Sequence, residues 1–371
     1  MNGQWIGQCE GTNTGTVFLN VDELESDFRG FGLLLDDNKL IPGTALFFTT
    51  KNKNKDFEFR SNWIHAIDSS TGLITSWDII KNRYATGVKM PNYVDIKGTW
   101  GDESVELSWS SDIGTSGKCK LPKSEAGKPS ALVPVPQDWE EYKKYVATLE
   151  GRRLLFRGQN TTARLRTSFH RTGRADLHRY VKEDIQVLYR QLSGRTRHIF
   201  NLDNPNENGA FYNLLQHHGY PTPLLDWTYS PYVAVFFAYR WITNKDADRA
   251  DPNRKVRVHV LDQAQWKKDW SQLHALLATA PHLSIEEFMS IENPRMIPQQ
   301  SASTLTNLDD IESYIKSKEA NGKFYLTAID LPVRDRRKVM NELTYMGITA
   351  GSLFPGLDGA CEELRERHFG L

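Results

Sequence analysis

The stretch Leu224-Leu225-Asp226-Trp227-Thr228-Tyr229-Ser230-Pro231-Tyr232-Val233-Ala234-Val235-Phe236-Phe237-Ala238 constrains the fold more than any other. It is apolar almost throughout, yet an aspartate, a threonine and a serine-proline pair sit in its middle. Pro231 suits the first turn of a helix, where a missing N–H costs nothing, and Ser230 before it is placed to accept a bond from the free amides as an N-cap. A strand ending near Thr228 and a helix opening at Pro231 follow. Side chains alternate along a strand, so Asp226 and Thr228 share one face and Trp227 takes the other. A carboxylate and a hydroxyl are thereby aimed at the mouth of a helix, where free amides favour ligands. Two readings stay open at this point: a binding site, or a buried strand-to-helix turn in which Asp226 only satisfies backbone donors.

A second stretch, Leu154-Leu155-Phe156-Arg157-Gly158-Gln159, reads as a buried strand ending in a cation, a glycine and an amide. It follows a helix start marked by Asp138 and Glu141 as a capping-box pair. Arg157 keeps its charge and so requires a carboxylate, a phosphate or water. Gly158 admits the close approach of a backbone or a ligand.

The order of elements divides the chain. Up to about residue 121, short runs such as Thr16–Val21, Ala45–Thr49 and Val105–Trp109 are punctuated by Gly, Asn and Asp, which predicts an antiparallel β domain, a small barrel or sandwich. Trp5-Ile6-Gly7 and Gly98-Thr99-Trp100-Gly101 are the pair of edges expected to close it. Residues 122–137 have a linker composition, rich in Pro, Gly and charge. From 138 to 371, helices are expected at Ile185–Leu192, around Trp270, Leu273 and Leu277, and from Val339 to Met346, with strands at Val256–Val260 and Phe324–Ile329. Strands and helices mix without a regular βαβ repeat, so the fold class is α+β.

Composition excludes more than it assigns. The 371 residues carry 39% hydrophobic content and a formal net charge of zero, enough for a large core and no sign of a generally polyanion-binding chain. The arginine-rich span from Arg152 to Arg197 reads as a solvated helical face. Three cysteines, Cys9, Cys119 and Cys361, without Cys-x-x-Cys spacing, argue for a reducing compartment and against a zinc site or disulfide framework. No signal-like segment and no long apolar run is visible, which leads to the expectation of a cytoplasmic protein without membrane contact. There is no Rossmann fingerprint and no phosphate-binding Gly-rich loop. His217 and His218 lack the i, i+4 spacing of helical zinc binders, so no metal is expected, and adjacent helical positions diverge enough that one of the two at most faces a site.

Phe156-Arg157-Gly158, Gln216-His217-His218-Gly219, Leu225-Asp226-Trp227-Thr228 and Leu353-Phe354-Pro355-Gly356-Leu357-Asp358-Gly359, in that order, resemble the FRG-domain family, named for its Phe-Arg-Gly motif. The resemblance covers about Asp138 to the C-terminus. In layout the same region resembles the ADP-ribosyltransferase fold of arginine-type toxins. That fold opens with an apolar-Arg-Gly strand whose arginine holds NAD, and continues with a Ser-Thr-Ser strand and a helix bearing Pro, Ala and Phe. Matching Pro231, Ala234 and Phe237 to that helix sets Asp226, Trp227 and Thr228 on the triplet, with two of its three residues changed.

The resemblance implies NAD as substrate, bound by Arg157, Gly158, Gln159, His218, Thr228 and Ser230. Arg157 would grip the pyrophosphate while Gln159 and Thr228 orient the ribose. A carboxylate must then stabilise the developing cation, a role that fold gives to a later glutamate. Glu292 stands nearest in sequence, with Gln300 and Asp358 further off, and Asp226 offers a carboxylate from another direction. The implied activity is ADP-ribose transfer to a macromolecular target, protein or nucleic acid, or NAD hydrolysis, as in a toxin or phage-defence effector whose β domain senses or addresses a target. The contrasting readings are a non-catalytic nucleotide or nucleic-acid binding module, and phosphodiester hydrolysis by His218 and Asp226. Phe354–Gly359 is expected to be a tight turn that buries Leu353, Phe354 and Leu357.

Overall fold

The computed structural model of the chain describes residues 1–320 and 322–370. Ten strands form the N-terminal sheet: β1 (Gly3–Gly11), β2 (Gly15–Glu23), β3 (Phe28–Asp36), β4 (Gly43–Thr49), β5 (Asp56–Ser61), β6 (Ile64–Asp68), β7 (Leu73–Thr75), β8 (Val94–Trp100), β9 (Ser104–Ser111) and β10 (Ser116–Pro122). Their order is β5-β8-β9-β10-β1-β2-β3-β4-β6-β7, all antiparallel. Strand β5 at one end and β6 near the other are joined by residues 62–63 alone, so the sheet has to curl. The bend is fastened where the Phe47 amide donates to the Trp63 carbonyl at 3.0 Å and Ser61 Oγ to the Phe47 carbonyl at 2.7 Å.

This is one curled sheet with free ends rather than a closed barrel. The expected closure of Trp5–Gly7 on Gly98–Gly101 does not occur. Strand β1 lies inside the sheet between β10 and β2, and β8 pairs with β5 and β9. In the β1–β10 ladder Cys9 stands opposite Cys119, both buried and both free thiols.

The second sheet runs β11-β17-β14-β12-β13-β16-β15, with β11 (Val135–Pro136), β12 (Leu154–Gln159), β13 (Leu224–Thr228), β14 (Lys255–Asp262), β15 (Leu283–Glu286), β16 (Ser301–Thr306) and β17 (Leu326–Pro332). Helices cover it, giving the chain the mixed α and β content expected of an α+β fold. Val256 to Leu261 of β14 are buried without alternation, because both faces are packed. One face meets helix Pro231–Tyr239 and its neighbours Trp139, Tyr142 and Leu343. On the other, Trp227, Trp266 and Leu283 form a second core. Helix Trp139–Ala147 starts as read, with the Asp138 and Glu141 side chains bonded reciprocally to each other's amides.

The N-terminal sheet meets loops and short helices flanking the second sheet through a polar and apolar interface. Asp22, fully buried on β2, accepts from Arg174 Nε at 2.7 Å, from Arg179 at 3.2 Å, and from the Ala175 and Asp176 amides at 2.9 and 3.0 Å. Phe18, Phe31 and Leu33 share one core with Leu308. His178 packs edge-on against Phe31 and Phe47 at 4.7 and 5.1 Å. Residues 122–137, expected as an open connection, are tied to the second sheet. The Pro129 carbonyl accepts from Arg164 Nε at 3.2 Å, Ser130 Oγ donates to Glu312 at 2.8 Å, and Val135 pairs with Ile329.

Three further expectations are corrected. The arginine-rich span is solvated only in part: Arg152, Arg153, Arg190, Arg195 and Arg197 are exposed, but Arg164 pairs with Asp310 at 2.7 Å, Arg166 with Asp309 at 2.5 Å and Arg174 with Asp22. Residues 271–277 are not helical. Helix Gln263–Asp269 ends at Trp270, after which the Leu273 amide donates to Ser284 Oγ at 2.7 Å and Gln272 accepts from the Ile285 amide, which holds the chain along β15. At the C-terminal motif, Gly356 takes φ +122 and starts helix Leu357–Phe369, leaving Leu357 exposed while Leu353 and Phe354 are buried. Gly359 therefore stands inside a helix, packed against the Phe354 carbonyl. Among the described residues no helix is long and apolar enough to cross a membrane.

Candidate functional site

Strands β12 and β13 are neighbours in the sheet but share a single partner pair, Phe156 with Thr228. Elsewhere β12 is laddered to β14 along its whole length and β13 to β16. Toward Gly158 and Asp226 the two strands part, and a crevice of about 630 Å³ opens there. The Asp226 carbonyl has no backbone partner on β12 among the described residues and accepts from the Arg157 guanidinium at 2.6 Å instead. Arg157 Nε is buried without a partner. Burial pushes the Arg157 pKa down to about 10, with the Asp226 charge opposing and the Arg171 charge assisting. The guanidinium stays protonated at neutral pH all the same.

Helix Pro231–Tyr239 forms one wall. It begins as the sequence predicts, with Ser230 Oγ accepting from the Val233 amide at 3.2 Å. It lies so close to β12 that a Cβ on Gly158 would meet the Ala234 carbonyl oxygen at 1.8 Å and the Ala238 nitrogen at 2.7 Å. Gly158 is therefore required first by helix-on-strand packing. Thr228 Oγ1 donates to the Gln299 carbonyl at 2.7 Å and accepts from the Ser230 amide at 2.9 Å, which fixes the strand-to-helix turn. Trp227 faces away from Asp226 and Thr228, as the alternation requires, with Nε1 donating to Thr304 Oγ1 at 3.1 Å.

Arg157, Gly158, Gln159, Asp226 and Thr228 all line the crevice. Three other residues singled out in the sequence do not. Ser230 is used up as a helix cap. Glu292 sits on a turn with φ +56 and accepts from the Arg197 and His198 amides at 2.8 and 2.9 Å. His218 ends helix Pro205–His217 and is exposed, whereas His217 lines the crevice with Nδ1 buried and unpartnered. Neither Gln300 nor Asp358 reaches it.

The charge balance is one-sided. Among the described residues, five arginines, Arg157, Arg164, Arg171, Arg240 and Arg295, surround the space, against the single carboxylate of Asp226. Arg164 is neutralised by Asp310 and Arg240 by Glu362. Arg157, Arg171 and Arg295 have no carboxylate partner among the described residues and donate only to the carbonyls of Asp226, Arg166 and His217. Burial lowers the Arg171 pKa too, with the Arg166 charge assisting and Asp226 opposing. The Asp226 carboxylate itself makes no hydrogen bond among the described residues. At the mouth, the Arg240 guanidinium lies over the Trp241 and Phe354 rings at 4.4 and 3.9 Å, and Trp241 is 61% exposed.

Arg171 and Arg295 escaped the sequence reading. The first stood in a run of arginines whose partners lie far away along the chain. The second lies in Ile291–Gln300, on an irregular stretch with no periodicity to mark its neighbours. Arg171 has no acidic residue at helical spacing, whereas Arg295 has Glu292 three residues earlier, so nothing in the sequence marks it as unpaired. Among the described residues, no three His, Cys, Asp or Glu side chains are grouped so as to hold a metal ion.

No curated protein and no solved structure matches the chain. Residues 152–248 match the sequence model of the FRG domain. The chain thus carries an FRG domain, and both strands that frame the crevice, β12 and β13, lie within it.

Proposed function

We propose that the crevice binds the pyrophosphate of a nucleotide, with NAD as the ligand, and that the FRG domain acts as an ADP-ribosyltransferase-like enzyme or NAD glycohydrolase. The observation that carries this reading is the convergence of three guanidiniums lacking carboxylate partners on one unpaired carboxylate in the gap between split strands. Arg157 Nε is buried without a partner, a cost that a bound anion offsets, and planar guanidiniums match phosphate oxygens through paired bonds. A space of this size suits a nucleotide, and the exposed Trp241 ring beside Phe354 offers a stacking surface for its base.

Within this reading Arg157, Arg171 and Arg295 hold the phosphates. Asp226 faces the ribose that carries nicotinamide. The C1′–N bond breaks with its electron pair passing to the departing nicotinamide, and the carboxylate of Asp226 stabilises the cation left on the sugar until water or a target nucleophile adds at C1′. The arginine strand followed by a strand-helix unit supports the layout of an ADP-ribosyltransferase. The position of Glu292 outside the crevice leaves Asp226 to supply the carboxylate.

Incubation with NAD and measurement of free nicotinamide tests the proposal. Wild-type protein should release nicotinamide, and Asp226→Asn should not while still binding NAD. A second reading, binding without catalysis, rests on the same Glu292 observation. It predicts NAD binding by both proteins and release by neither.

A further inference from the structure

The curled N-terminal sheet encloses a second cavity, of about 690 Å³, remote from the arginine crevice. Its wall is apolar: Leu19, Leu34, Phe48, Phe59, Ile96 and Trp109 face inward from β2, β3, β4, β5, β8 and β9. One end is closed by a packed core that includes Met1, Trp5, Val21 and Leu121. The other end opens between loops carrying Asn13, Pro42, Lys89 and Ile113. A fold needing only stability fills such a space, because voids forfeit contacts along their whole lining. Here the strand register leaves Gly32 of β3 directly opposite Leu19 and Leu46, both of which line the cavity. A Cβ on Gly32 would find nothing closer than 3.8 Å, so a larger side chain fits there and the space is kept open by its absence.

Among the described residues, Lys89 is the one charged side chain on the lining. It is exposed at the rim and has no carboxylate partner among the described residues.

We infer that this cavity is a binding site for a small apolar molecule bearing one anionic head group, with the apolar part in the bore and the anion at Lys89. Apolar burial supplies the affinity, and the rim cation sets the orientation and the preference among ligands. The site sits close to the interface between the two sheets. On β2, Val17 and Leu19 face the cavity, while on the alternate face Phe18 packs with Leu308, Asp22 accepts from Arg174 and Asn20 accepts from Gln4 of β1.

The test is calorimetric titration of the full chain with dodecanoate and, separately, with 1-dodecanol. Wild-type protein should bind dodecanoate at one saturable site and more tightly than the alcohol. Lys89→Glu, a change at an exposed rim position, should weaken dodecanoate by about fivefold or more and leave 1-dodecanol unchanged, the scale expected of a solvated ion pair turned to repulsion. Gly32→Phe, which fills the bore, should abolish binding of both without lowering the melting temperature. Leu34→Trp serves as a second filler should that variant fail to fold. Absence of saturable binding to wild-type protein overturns the inference, and so does undiminished binding by a folded filler variant. Equal affinity of wild type and Lys89→Glu for dodecanoate overturns the role of Lys89.

Discussion

Gly158→Ala probes the packing on which the crevice depends. The added methyl would stand 1.8 Å from the Ala234 carbonyl oxygen and 2.7 Å from the Ala238 nitrogen, both backbone atoms of helix Pro231–Tyr239. Ordinary contact requires roughly 1.5 Å more, so the helix must move away from β12. It cannot do so cheaply, because Val233, Val235, Phe236 and Tyr239 are buried in the core on that face. Overpacking typically costs about 1–3 kcal/mol when neighbours yield, and a displaced buried helix belongs at the upper end or beyond. At about 2–4 °C per kcal/mol for a unit of this size, the melting temperature should fall by roughly 6–12 °C. The helix also carries the Ser230 cap and the wall of the crevice, so the proposed NAD binding should weaken even well below the melting point. Thermal melts followed by circular dichroism, with NAD titration at low temperature, check both effects. A variant melting within about 2 °C of wild type would show that the close approach at Gly158 is not what holds the helix.

Trp227→Ala should cost about 3–5 kcal/mol in denaturant unfolding and leave the proposed NAD binding intact in the folded fraction, since the indole packs on the face opposite Asp226 and its loss strands the Thr304 hydroxyl. His178 has its pKa lowered to about 4 by burial, against 6.5 when unfolded, so the unfolded chain takes up the proton first and stability falls as pH drops from about 6.5 toward 4. Burial raises Asp176, two residues earlier, to about 6, and its contribution runs the other way over much of that window. Denaturant midpoints across this range should therefore show a shallower acid loss for His178→Phe and a steeper one for Asp176→Asn than for wild type. Cleavage engineered between Lys123 and Gln137 should give two fragments that co-elute in gel filtration, held by the bonds to Asp22 and the core shared by Phe18, Phe31 and Leu308. Separate elution of two folded fragments would contradict that interface.

What the sequence made legible was local. The Ser230-Pro231 helix start, the alternation of Asp226, Trp227 and Thr228, and the Asp138–Glu141 capping box each depend on residues within a few positions, and each took the expected form. What it concealed depends on distant partners. Arg174 looked solvated because its acid, Asp22, lies on another sheet, and the curl of the N-terminal sheet is decided by the short β5–β6 connection rather than by any turn signal. The crevice follows the same rule. Arg157 and Asp226 were named from motifs, but the strand split that lets Arg157 reach a backbone carbonyl is a property of the ladder. His217 displaced His218 because one position on a helix turns the side chain by about a hundred degrees.

The central claim, that unpaired guanidiniums in the split between β12 and β13 await a pyrophosphate, is tested most directly by calorimetric titration of NAD into wild type and Arg157→Lys. A lysine keeps the charge but loses the planar pair of donors, a difference of about 1.5–3 kcal/mol for a charged hydrogen-bonded contact, or roughly ten- to a hundredfold in affinity. One saturable site in wild type, weakened by that factor in a variant of unchanged melting temperature, is the expected result. Equal affinity in the two proteins, or no binding to wild type, would contradict it.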